Sequence, residues 1–297
     1  MVKLVECVPN FSEGRDEAIV EQIVEEIRRV EGVKLLDYSS DKDHNRSVVT
    51  MIGDPKKVKT AMLNAAKKAT ELIDMRKHEG AHPRMGAIDV VPFIPVSDMT
   101  MEECVELANE VGKEMGDMGI PIYLYENAAT APHRTNLAKV RKGQYEGFFE
   151  KIKEADWKPD YGPEKMNEKT GATAVGARVY LVAYNVNLGT NDIEIADAIA
   201  KKVRFVGGGL RFVKAMGIKL EERDIVQVSM NLVNFEKSRI YQVFEMIKME
   251  AKRYGVSVVG SEVIGAIPLQ ALVDTAEYYL QIENFDISQI IEKQLLE

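Results

Sequence analysis

The sequence predicts an α+β fold built from two β-α-β-β-α-β halves. Three observations carry that prediction. Stretches with apolar residues at helical spacing take turns with stretches that alternate, or run uninterrupted, as strands do. The order of these stretches in the first half returns in the second: one strand runs out in Phe-Ile-Pro-Val (93–96) and its counterpart in Ala-Ile-Pro-Leu (266–269). Between the halves, residues 157–171 are polar, rich in turn formers and without apolar period.

The elements follow in order. Residues 3–8 form an apolar strand pattern, closed by Pro9-Asn10-Phe11-Ser12-Glu13-Gly14. Ser12 or Asp16 caps the helix that follows, whose stripe is Ile19, Val20, Ile23, Val24 and Ile27. A strand over 33–38, a polar loop over 39–46 containing His44, and an alternating strand over 47–52 come next. Gly53-Asp54-Pro55 turns into a long helix over 58–73, and the strand over 88–96 completes a ferredoxin-like unit. Thr100 and Glu103 form a capping box for an amphipathic helix over 100–115. A strand over 120–125, a basic stretch over 127–145 with His133, and a short helix over 148–152 lead to the polar divider. In the second half the strands are read at 179–186, 224–233 and 256–269, and the helices at 192–203, 240–254 and 271–280. The domains are therefore drawn as 1–178 and 179–297.

Composition removes several function classes. The 297 residues suffice for two domains. A net charge of −8 argues against general nucleic-acid binding, which needs a basic face. No apolar run approaches the ~18 residues of a membrane span, and the N-terminus does not read as a signal peptide. Cys7 and Cys104 make no spacing motif and fit reduced, buried thiols. A cytoplasmic protein with no membrane or nucleic-acid partner is the expectation. A homodimer is the default assembly.

Chemistry concentrates at residues 73–96, I-D-M-R-K-H-E-G-A-H-P-R-M-G-A-I-D-V-V-P-F-I-P-V. This turn holds two of the four histidines, His78 and His82, with Asp74, Arg76, Lys77, Glu79, Arg84 and Asp89. Gly80, Pro83 and Gly86 break regular structure and let the backbone turn. The plain reading is a charged surface loop. The sharper one makes His82 a general acid/base, because imidazole titrates near pH ~6.5 and can take and return a proton. A metal reading rests on the four-residue spacing of the two histidines, and Gly80 and Pro83 speak against the unbroken helix it requires. Gly207-Gly208-Gly209, beside Arg204, Arg211 and Lys214, is either a flexible surface loop or an anion-binding one; it lacks the Gly-Lys-Ser/Thr of a P-loop. His44 reads as a surface residue. Asp37, at a strand end, reads equally as a cap or as a cleft residue.

Several stretches resemble the glutamate formimidoyltransferase (formiminotransferase) family: V-E-C-V-P-N-F-S-E-G at 5–14, N-R-S-V at 45–48, L-I-D-M-R-K-H-E-G-A-H-P-R-M-G-A-I-D-V-V-P-F-I-P-V at 72–96, P-I-Y-L-Y at 121–125, P-D-Y-G-P at 159–163, G-A-T-A-V-G-A-R at 171–178 and Q-V-S-M-N-L at 227–232. They span almost the whole chain. The resemblance implies two α/β subdomains with a folate-binding tunnel between them. It implies transfer of a formimino group from N-formimino-L-glutamate to N5 of tetrahydrofolate, a step of histidine degradation, with tetrahydrofolate as co-substrate and no metal. The chain ends before any cyclodeaminase domain, so a monofunctional form is expected. By the same resemblance the catalytic histidine falls on His82. The folate-contact loops fall on Gly162, Pro163, Glu164, Lys165, Met166, Asn167, Glu168, Lys169, Thr170 and Gly171, and on Gly208, Gly209, Leu210, Arg211, Phe212, Val213, Lys214, Ala215, Met216 and Gly217. Asp37 could orient the cationic amidine, and Arg84 or Arg178 a substrate carboxylate. Formyl transfer, conversion of 5-formyltetrahydrofolate, and non-catalytic folate binding stay open as alternatives.

Overall fold

A computed structural model describes residues 3–295. The chain divides into two compact units, the first ending at Arg178 and the second beginning at Val179.

The first unit opens with β1 (Leu4–Cys7) and β2 (Asn10–Phe11), which lie end to end along the same two neighbours, β4 and β5. Helix α1 (Glu17–Arg28) starts at Asp16, whose carboxylate accepts the backbone N–H groups of Ala18 and Ile19. Ser12, the other capping candidate, instead donates its hydroxyl to the Gly86 carbonyl at 2.7 Å. Strands β3 (Val33–Asp41) and β4 (Arg46–Gly53) form a hairpin, and α2 (Pro55–Leu72) follows with Asp54 as cap and Pro55 in its first turn. Then come β5 (Ile88–Ser97), α3 (Met101–Asp117), β6 (Ile122–Glu126), the short helices α4 (Leu137–Val140) and α5 (Gln144–Lys151), and β7 (Thr173–Ala177). The Thr100/Glu103 capping box of α3 is formed in both directions.

The sheet runs β3-β4-(β1/β2)-β5-β7-β6, antiparallel up to β5 and parallel at β5–β7–β6. Strand β4 alternates as its sequence demands: Ser47, Val49 and Met51 are buried under the helices, while Arg46, Val48, Thr50 and Ile52 take the opposite face. Strand β7 does not alternate, being buried along its whole length, and its small residues gave no strand signal in the sequence.

The second unit contains β8 (Val182–Leu188), α6 (Ile193–Val203), β9 (Val213–Leu220), β10 (Ile225–Leu232), α7 (Ile240–Arg253), β11 (Val258–Ile264) and α8 (Leu269–Leu280). Its sheet runs β11-β8-β10-β9, all antiparallel. The loop expected over 208–217 is a loop only to Phe212. From Val213 the chain is an edge strand, with Val213 and Ala215 buried and Lys214 and Met216 exposed. Glycine and lysine content masked that alternation. The strand expected over 256–269 stops at Ile264. Among the described residues no helix is long and apolar enough to cross a membrane.

Candidate active site around His82

The segment between α2 and β5 has no regular structure of its own, so its backbone groups must find partners elsewhere. They find them on two sides. Met75 and Ala87 donate their N–H groups to the carbonyls of Lys169 and Thr170, and Met85 accepts from Ala172. On the other side Ala81 donates to Asp43, and the Asn45 side chain donates to the Glu79 carbonyl while accepting from Gly14. Asn45 itself sits at φ +47°, a conformation asparagine tolerates better than most residues. Gly86 is required by proximity rather than by turning: a Cβ there would stand 2.2 Å from the Ala172 carbonyl oxygen. Gly80 is held the same way against the His44 carbonyl.

The two histidines of this segment have different surroundings. His78 is 9% exposed and bonded at both ring nitrogens. Its Nε2 lies 2.8 Å from the Asn45 carbonyl, which can only accept, so Nε2 carries the proton; Nδ1 then accepts from Arg84 Nε at 3.2 Å. Burial, then the Arg84 charge, holds its pKa below the usual imidazole value, against the pull of the Asn45 carbonyl. His82 is half-buried, and Arg46 Nη1 donates to its Nε2 at 2.6 Å. Its Nδ1 is buried and lacks a hydrogen-bond partner among the described residues. Burial, then Arg46, Arg141 and His44 in that order, push its pKa down to about 3, with only a weak opposing pull from the Pro83 backbone. His82 is therefore neutral at working pH.

The positive charges come from fixed positions. Arg46 opens β4 on its outward face, and burial and then Arg141 disfavour its charge. Arg141, the C-cap of α4, is ion-paired with Asp89. Asp89 is the extra residue where β5 slips register against β2, since Asn10 faces Val90 and Phe11 faces Ile88. Such a bulge re-aims a side chain, and here the fully buried carboxylate meets Arg141 and the Met85 N–H at 3.0 Å. Burial pushes this carboxyl up, against the opposing influence of Arg141, Met85 and Arg46.

Arg84 is an internal strut: its guanidinium grips Glu146 through two bonds of 2.7 and 2.9 Å and reaches Gln144 and the His78 carbonyl. Asp37 is exposed, opposite Thr50 and on the Arg46 face, but four residues up the strand from Asp41, about 13 Å away at strand rise. Arg178 closes the first unit beside the Tyr125 hydroxyl and Glu6. Residues 162–171 form the loop whose end is zipped to both flanks of the His82 segment, and Lys169 donates to the Glu71 carbonyl at the end of α2. In the second unit Gly208 takes φ +89° and Gly209 lies against the last carbonyls of α6, so this turn folds tightly around a helix end. Among the described residues no three His, Cys, Asp or Glu side chains converge as a metal-ligand set. Arg46 and Arg141 were not singled out from sequence. The available signal was the phase of β4, which puts Arg46 on the outward side with Val48 and Thr50.

Residues 4–178 match the formiminotransferase domain, N-terminal subdomain, and residues 183–297 the formiminotransferase domain. The chain belongs to the formiminotransferase family. It is 56% identical to the glutamate formimidoyltransferase of Streptococcus pyogenes serotype M1, over all of both chains. It is 49% identical to the glutamate formimidoyltransferase of Thermoplasma acidophilum, over 99% of this chain and 98% of that one. The formimidoyltransferase-cyclodeaminase of Sus scrofa is 44% identical over 97% of this chain, which there spans 54% of the longer protein. The His82 segment of this formiminotransferase thus lies wholly within the N-terminal subdomain match.

Proposed function

We propose that this formiminotransferase moves the formimino group of N-formimino-L-glutamate to N5 of tetrahydrofolate, with His82 as the proton carrier. Attack of N5 on the formimino carbon gives a tetrahedral intermediate. N5 must lose a proton and the glutamate nitrogen must gain one before the old C–N bond breaks. One imidazole that accepts and then returns the proton is sufficient. The observation that carries the reading is a neutral imidazole set among arginines: its Nε2 is the acceptor of a hydrogen bond from Arg46, and the cations around the ring favour anionic ligands. The 162–171 loop supports tetrahydrofolate binding nearby, because it shares backbone hydrogen bonds with both flanks of the His82 segment. We also read both units as ferredoxin-like modules related by duplication. Each contains the strand order fourth-first-third-second, as β5-β1-β4-β3 and as β11-β8-β10-β9.

The test is turnover with tetrahydrofolate and either N-formimino-L-glutamate or N-formyl-L-glutamate, for the wild type and His82→Ala. Turnover with the formimino donor is expected, and His82→Ala should lose roughly 10²–10⁴-fold while still binding tetrahydrofolate. Turnover with the formyl donor alone would overturn the donor assignment, and undiminished turnover in His82→Ala would overturn the role of His82.

A further inference from the structure

Arg84, Arg134 and Arg141 each hold a carboxylate, from Glu146, Asp160 and Asp89 respectively. Arg46 does not: among the described residues no carboxylate lies within ion-pair distance of its guanidinium. Among the same residues its Nε is buried without a partner, and the one bond its fork makes is to the His82 ring. The acids around it are committed elsewhere. Asp89 takes Arg141 and the Met85 N–H, while Asp41 takes His44 Nδ1 at 2.7 Å and the N–H groups of Asp43 and His44. A partly buried guanidinium bonded only to a neutral imidazole is poorly compensated, and a planar fork of donors is matched best by a carboxylate taken bidentately.

We propose that Arg46 is the receptor for a carboxylate of the glutamyl donor, and that binding this carboxylate draws the guanidinium away from His82 and frees Nε2 to act as base. The inference rests on the reading of His82 given above and names the trigger of that site. Without ligand, Nε2 is both occupied by a donor and faced by a like charge, so it is a poor base. A bound carboxylate removes both obstacles together. The charged and titratable groups that face the ring are Arg46 from β4, Arg141 from the end of α4 with its partner Asp89 from β5, and His44 from the turn after β3 with its partner Asp41. Of the two arginines there, Arg46 has no carboxylate partner among the described residues while Arg141 has Asp89, so the incoming anion is expected to change the Arg46 interaction first. The catalytic base would then be weak until the donor is seated, which keeps its proton chemistry tied to occupancy.

The test is the protonation state of His82, read from imidazole nitrogen and carbon resonances of the full chain and assigned with His82→Gln. L-Glutamate, the product, serves as probe, with sodium chloride at equal ionic strength as control. The ring is expected to stay neutral down to at least pH 5 alone, and to titrate at higher pH when L-glutamate is bound. Arg46→Gln should raise the ligand-free titration, abolish the further response, and weaken L-glutamate binding about 10–100-fold. An unchanged His82 titration at saturating L-glutamate would overturn the proposal, as would an equal response to chloride or undiminished L-glutamate binding by Arg46→Gln. These readouts do not depend on turnover. If His82→Ala retained activity while the resonances moved as expected, the base assignment would fail and the carboxylate receptor would stand.

Discussion

His78 and His82 are four residues apart in one loop, and both are held neutral, yet by opposite means. His78 has a carbonyl at one nitrogen and an arginine at the other, a complete set of partners that fixes one tautomer. Among the described residues His82 has one nitrogen against an arginine and the other without a partner, and the charges that lower its pKa are those of Arg46, Arg141 and His44. Saturated hydrogen bonding marks a residue that holds the loop together. Unsatisfied bonding beside one uncompensated charge, that of Arg46, marks one held ready for a ligand.

Three experiments widen or collapse that difference. The largest separation is the rate loss in His82→Ala described above, with stability expected to fall by about 1–3 kcal/mol, because the half-buried Arg46 fork loses its bond to the ring. Next is Asp89→Ala, which leaves Arg141 as a largely buried cation, its side chain 16% exposed, without its Asp89 counter-ion and removes the acceptor of the Met85 N–H. It should cost about 3–5 kcal/mol, read as a lower urea midpoint. A near-wild-type midpoint would mean that Arg141 finds water or another anion. His78→Ala should cost about 1–3 kcal/mol by orphaning the Asn45 carbonyl and Arg84 Nε, while turnover per folded molecule changes only a few-fold. If His78→Ala instead matched His82→Ala in rate loss, the division between the two rings would collapse.

The sequence displays the elements of this fold wherever periodicity is strong. Helices α1, α2, α3, α6 and α7 and the alternating strand β4 are readable to within a few residues. It hides β7 and β9, because a strand of small residues buried on both faces and a Gly- and Lys-rich edge strand both lack the apolar alternation that reveals strands. The loop holding His82 was legible as a cluster of proton carriers between a helix and a strand. Which histidine is structural was not, because the deciding partners are remote in sequence: Asn45 for His78, and Arg46 and Arg141 for His82. Arg84 is instructive in the other direction. Adjacent to the histidine motif, it reads as a substrate ligand, but its charge is absorbed by Glu146, sixty-two residues later.

The smallest expected effect concerns acid stability. Both rings have folded-state pKa values below the ~6.5 of an unfolded histidine, and for His82 the value is about 3. As pH falls below ~6.5 the unfolded chain therefore takes up protons that the folded chain refuses, so stability is full above that pH and is lost as pH descends toward the folded values. Carboxylates with lowered pKa values, Glu146 and Asp74 among them, act only further down, once unfolded acids begin to titrate near pH ~4. Glu6, whose carboxyl burial pushes up, works with the opposite sign but is common to wild type and variant. The difference between wild type and His82→Gln thus isolates one ring. Between pH 8 and pH 5 the variant should lose about 1 kcal/mol less stability than wild type, after allowance for partial solvent screening. Identical losses would show that His82 takes up its proton in the folded chain as readily as in the unfolded one, and the arginines around it would then be too well screened to hold it neutral.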